Sequence, residues 1–165
     1  MNANTEIFLS TVKNYCLWVE SPPLSIHEEI REAIHLVSKV YTQALLLPET
    51  ETNDGFLEID ISNEEWNAVF KRFTSFPFNY YLDFFAPYQI EENQAGLGDL
   101  ADDLADIYRD LKEGLLHFES GNLNAAIWNW KWTFNSHWGR HAVSALNALH
   151  CYAVDNNISL QKSLS

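Results

Sequence analysis

Apolar residues recur at helical spacing in five stretches, and recognisable stop signals separate them. Ile7, Phe8, Val12, Tyr15, Trp18 and Val19 form the first stripe and predict a helix over 4–20. Ser21-Pro22-Pro23 closes it, because proline lacks the N–H that continues a helix and restricts the residue before it. Ser25 and Glu28 have the spacing of a capping box. Behind them Ile26, Ile30, Ile34, Val37, Tyr41 and Leu45 predict a second helix, stopped at Pro48. A second box, Ser62 with Glu65, opens a third helix that ends near Thr74. Residues 49–61 read as an acidic loop, with a turn at Asp54-Gly55 and a short extended piece over 56–61.

Phe76-Pro77-Phe78 ends the third helix. The aromatic run Phe76, Phe78, Tyr80, Tyr81, Phe84, Phe85 and Tyr88 is expected to be irregular and to plug its rings into the core. Residues 91–98 read as a polar linker into the next helix.

Two more helices, joined at Gly121, form a hairpin over 98–150. In the fourth, Leu97, Leu100, Leu104, Ile107, Tyr108, Leu111, Leu115 and Phe118 point within about 60° of one direction. Asp99 is its expected N-cap. In the fifth, near 122–153, Leu123, Ile127, Trp130, Phe134, His137, His141, Ala145, Ala148 and Tyr152 share one face. Trp128, Trp132, Gly139, Ala142 and Leu146 take the other. A helix apolar on two sides is enclosed by neighbours, so this Trp- and His-rich helix is expected to be the central buried one. The reading is all-α: a single-domain bundle of about five helices over 1–154, with a frayed tail over 155–165.

Charge narrows the partners. The chain carries 23 acidic residues against 10 Lys and Arg, a formal net charge of -13. Such a surface repels phosphate backbones and anionic lipid, so neither nucleic acid nor membrane is an expected partner, whereas a basic protein is. No apolar run reaches the roughly 20 residues needed to cross a bilayer. The N-terminal residues lack the basic-then-apolar pattern of a signal peptide. Cys16 and Cys151 therefore read as free thiols of a cytoplasmic protein.

The chemistry is sparse. There is no G-x-S-x-G, phosphate-binding loop, G-x-G-x-x-G or C-x-x-C. Asp99, Asp103, Asp106 and Asp110 share one face of the fourth helix, roughly 130° from its apolar direction, and are expected to be a solvated stripe. His137 and His141 lie one turn apart. That spacing can chelate a metal, but no H-E-x-x-H supplies a base. The candidate buried polar site is His137, His141, His150, Asp103 and Asp106, with Asp83 as a further candidate ligand. Its expected role is a hydrogen-bonded structural network. No cofactor is expected; a divalent metal on His137 and His141 is the alternative. Phe78, Tyr81, Phe85, Trp130, Phe134 and Trp138 are candidate pocket aromatics.

The runs DDLADIYRDLKEGL (Asp102 to Leu115) and HWGRHAVSALNALH (His137 to His150), with the Trp-rich link between them, resemble a bacterial family catalogued as domain of unknown function 5063. LLLP at Leu45 to Pro48 is similar too. The resemblance implies an all-helical bacterial protein and carries over no activity and no site residue. The leading functional expectation is an acidic protein-interaction module, an adaptor or inhibitor of a basic partner. The alternatives are a metal-dependent hydrolase or a small-molecule-binding protein using His137, His141 and carboxylates of the fourth helix.

Overall fold

The computed structural model describes residues 1–51, 59–91 and 94–161. Helix α1 (Ala3–Glu20) is capped by Asn2, whose side chain accepts from the Thr5 N–H. Helix α2 (Ile26–Ala44) and helix α3 (Asn63–Phe73) begin at the two capping boxes read from sequence, Ser25/Glu28 and Ser62/Glu65, both formed. The turn at Asp54-Gly55 and the first half of the extended piece read over 56–61 lie outside the described residues; 59–61 form no strand. Glu29 and Arg72 tie the first three helices together. The Arg72 guanidinium donates to both Glu29 carboxylate oxygens and to the carbonyls of Trp18 and Ser21.

Helix α4 (Leu100–Glu119) packs against α1, α3, α5 (Leu123–Thr133) and α6 (Gly139–Asp155). It is the most enclosed helix of the fold. Ala101 and Ala105 are fully buried, and the absence of bulk there lets neighbours approach. At Gly114 a Cβ would overlap the Trp130 indole, whose Nε1 donates to the Leu111 carbonyl at 3.0 Å. The Trp- and His-rich run supplies two of the largest fully buried side chains, Trp130 and Trp138, but it flanks α4 and leaves Trp132 exposed.

That run is not one regular helix. Phe134–Trp138 is a π turn between α5 and α6, with the Gly139 N–H returning to the Phe134 carbonyl five residues back. The extra residue changes every angle downstream. In an unbroken α-helix Trp138 would lie about 80° from Trp130; with one residue absorbed by the wide turn the offset falls to about 20°. Both indoles then enter the core, and Trp138 Nε1 donates to the Trp130 carbonyl at 3.3 Å. His137 and His141, which the unbroken projection aims with Trp130, swing by about 100° to the edge of the α4 interface.

The aromatic segment also differs from expectation. Strands β1 (Tyr80–Asp83) and β2 (Gly96–Asp99) pair antiparallel, with Leu82 opposite Leu97 and Tyr81 opposite Gly98. Most of the segment's rings stay outside: Tyr80, Phe84, Phe85 and Tyr88 are exposed, and only Phe76 is buried. The reason is local. Gly98 leaves room for the Tyr81 ring to lie flat across the pair, where any Cβ would overlap it. Asn79 fastens this hairpin to α4 by accepting from the Leu100 and Ala101 N–H groups and donating to Asp99, which caps the helix.

Beyond α6 the chain does not fray at once, as the sequence reading expects. Ile158 is buried, and Arg31 and His35 hold the carbonyls of Ser159 and Leu160. Cys16 is buried, Cys151 is exposed, and both are free. One continuous apolar cluster runs from Phe8 on α1 to Ile158.

Candidate functional site

Asp103, Asp106 and Asp110 recur at i, i+3 and i+7 on α4, so they line one face of the helix. That face is not solvated. The three residues are 5%, 7% and 4% exposed, because the π turn sets His137 and His141 directly against them. Of the expected solvated stripe, only Asp99 keeps partial exposure, at the helix N-terminus. A buried carboxylate needs a partner, and each of the three has one.

The pairing is ordered. His141 Nδ1 lies 2.7 Å from Asp103 Oδ1, and His137 Nδ1 lies 2.7 Å from Asp110 Oδ2. An ionised carboxylate only accepts, so both imidazoles donate through Nδ1 and turn Nε2 toward Asp106. Tyr81 donates its hydroxyl to the second oxygen of Asp103. On Asp106, Oδ1 takes the Trp66 indole N–H and the Arg109 guanidinium, each at 2.8 Å. Oδ2 is left facing the imidazoles, 3.4 Å from His137 Nε2 and 3.5 Å from His141 Nε2. The two rings sit edge to face, centroids 4.8 Å apart. The ligating atoms of Asp106, His137 and His141 all lie within 4.8 Å of one another.

Electrostatics follow from the packing. The carboxylates of Asp106 and Asp110 on either side push the His137 pKa up to about 10. Burial opposes charge on Asp106, yet His137, Arg109 and Trp66 outweigh it and hold that carboxyl below its ordinary range. At Asp103 burial wins, and the carboxyl rises in spite of His141 and Tyr81. Burial and the neighbouring Asp103 raise the Tyr81 phenol, which keeps its proton for donation.

The centre is reachable. The His137 side chain is 35% exposed and that of His141 24%. A cavity of about 280 Å³ borders His141 and Asp103, with Tyr81, Asp83, Arg140 and Ser144 among its walls. Asp83 accepts from Ser144 at 2.9 Å and stays out of the His137–His141 cluster.

The structure brings His137, His141, Asp103 and Asp106 together. It does not bring in His150, which is exposed near the end of α6, more than two turns past His141. Asp110, Trp66 and the Tyr81 hydroxyl complete the centre, beyond the residues that the sequence assigns to it. The signal for Asp110 was its register: an acid stripe on one helix opposite a His pair on the next. The candidate aromatics do not form one pocket. Trp130 and Trp138 are core. Phe78 stacks on Tyr152, Phe134 packs between Tyr41 and Trp138, Tyr81 serves Asp103, and Phe85 lies under the Arg140 guanidinium.

The fold and centre together define a helical bundle with a half-buried two-histidine, three-aspartate cluster between α4 and the π turn that leads into α6. The chain belongs to the family described as domain of unknown function 5063, whose model matches residues 1–155. It is similar to the crystal structure of protein BF1032 from Bacteroides fragilis, with a TM-score of 0.76 at 21% identity, over 99% of this chain and 98% of that one. At such identity the likeness concerns the fold alone. No curated protein matches the chain. No helix among the described residues is long and apolar enough to cross a membrane.

Proposed function

We propose that this protein is a metal-dependent hydrolase whose divalent transition-metal ion is held by His137, His141 and Asp106. One observation carries the reading: three potential ligand atoms, one from each residue, converge to within 4.8 Å of one another. Each imidazole is committed through Nδ1 to its own carboxylate, and both Nε2 atoms face Asp106 Oδ2 at 3.4 and 3.5 Å. Those spacings exceed the roughly 2.7–3.2 Å of a good hydrogen bond. They approach the edge of a tetrahedron, about 3.4 Å, drawn around an ion with ligands at about 2.0–2.1 Å.

The surroundings support the same reading. Carboxylates that orient metal-bound imidazoles from behind are a regular part of such centres, and Asp103 and Asp110 hold that place. Mixed imidazole and carboxylate ligands suit zinc, iron and manganese. Three protein ligands leave coordination positions free, the arrangement of catalytic rather than structural sites. The chemistry an ion supplies there is a bound water acidified toward a pKa of about 7.

Elemental analysis of protein purified without chelator tests the reading. About one equivalent of zinc, iron or manganese is expected, with a melting temperature that falls on chelation and recovers with that metal. His141→Ala loses both responses. Metal-free protein indifferent to added zinc, iron and manganese contradicts the centre. Metal-loaded protein without chelator-sensitive hydrolysis of nitrophenyl esters and phosphoesters contradicts the hydrolase.

A further inference from the structure

The β1–β2 hairpin is amphipathic the wrong way round. An antiparallel pair lying on a helical core normally turns apolar side chains inward and polar ones outward. Here the inward positions hold Tyr81, spent on Asp103, and Asp83, spent on Ser144. The outward positions hold Leu82 and Leu97, directly opposite each other and 71% and 68% exposed. Tyr80, two residues before Leu82 on the same face of β1, is exposed as well, and so are Tyr88 and Ile90 in the segment after the strand. Behind the hairpin a groove of about 700 Å³ runs between Leu82, Phe84 and Phe85 on one side and Phe134 and Val143 on the other. Paired exposed leucines bordering an aromatic-lined groove mark a place of association.

Charge selects the occupant. From Thr74 to Tyr108 the sequence contains no Lys or Arg and, apart from Asp103 and Asp106 buried in the centre, five acids. The nearby cation, Arg140, is engaged by the Phe85 ring at 4.6 Å and by the Phe85 carbonyl. A second copy of the chain would bring like charges together, and an anionic bilayer would be repelled. We infer that the outward face of the hairpin and the groove behind it dock a basic partner protein, through a segment with apolar anchors flanked by Lys or Arg. The inference is independent of the metal centre.

Two synthetic amphipathic helical peptides test it, sharing one Leu/Phe face, with lysine on the polar face of one and glutamate on the other. The full chain is expected to bind the lysine peptide and not the glutamate peptide. Leu82→Ser is expected to weaken binding about tenfold or more, the effect of losing a central anchor. Leu46→Ser, which changes an exposed leucine at the end of α2, is expected to leave it unchanged. Leu97→Ser gives a second hairpin variant should Leu82→Ser lose helicity by circular dichroism. Equal binding by wild type and both hairpin variants overturns the inference, since charge alone would then account for it. So do absence of binding, a concentration-dependent dimer abolished by Leu82→Ser in sedimentation, and binding to phosphatidylcholine vesicles abolished by the same change.

Discussion

His141 Nδ1 donates to Asp103 Oδ1 at 2.7 Å, and Tyr81 holds the other oxygen of that carboxylate from the hairpin. The imidazole is thus aimed by α4 and the carboxylate by β1, so the direction of Nε2 is set before any ligand arrives. On the metal reading, Asp103→Asn and Asp110→Asn leave all three ligands present but loosen their aim. Each is expected to weaken zinc binding about 10- to 100-fold, the usual effect of losing an orienting carboxylate. Calorimetric titration checks this, and unchanged affinity in both variants counts against the arrangement.

Metal entry should displace a proton. With its pKa pushed up to about 10 by Asp106 and Asp110, His137 carries an imidazolium proton near neutrality in the metal-free protein. A cation on Nε2 must expel that proton, so affinity for zinc is expected to rise with pH toward about 10. Titration in two buffers of different ionisation enthalpy counts the protons released. The expected count is about one near neutral pH; none released means that His137 is not a ligand.

Glu113 gives a stability signature separate from the centre's chemistry. Burial, with Asp110 and Asp60 nearby, pushes its carboxyl up to about 7, although the Ile61 N–H donates to it. The folded protein therefore holds this proton more tightly than the unfolded chain does. Its contribution is fully present below the unfolded carboxyl range, is lost as pH rises through about 7, and stays lost above that. Glu113→Gln keeps the acceptor and removes the titration. Relative to wild type, the variant is expected to gain stability between pH 5 and pH 8 in urea unfolding; a difference that is flat or of opposite sign contradicts the assignment.

Helix packing is tested where propensity and space disagree. Alanine is the better helix former, yet Gly114→Ala drives a methyl group into the Trp130 indole. A loss of about 1–3 kcal/mol is expected, the range of overpacking. Trp130→Ala should cost about 3–5 kcal/mol. Trp132→Ala, on the exposed side of α5, should stay within about 1 kcal/mol. Equal costs at the two tryptophans would mean that α5 is turned otherwise.

What was legible from residues alone was local. Capping boxes and proline stops placed the ends of α1, α2 and α3 because those signals act within one turn. The π turn leaves no such mark: it brings Trp130 and Trp138 onto one face, and their spacing of eight residues carries no signal of a wide turn until both must enter the core. An unbroken helical projection turns both histidines inward and leaves the aspartates without partners, so a paired cluster reads as a wet stripe. The hairpin was hidden for another reason. Gly96-Leu97-Gly98-Asp99 has little strand propensity, and it pairs because glycine admits the Tyr81 ring.

Anomalous diffraction at the zinc edge, from crystals of the full chain grown with one equivalent of zinc, addresses the centre most directly. The expected result is a single strong peak about 2.0–2.2 Å from His137 Nε2, His141 Nε2 and an oxygen of Asp106. A peak bound elsewhere, or none between these three side chains, would contradict the account.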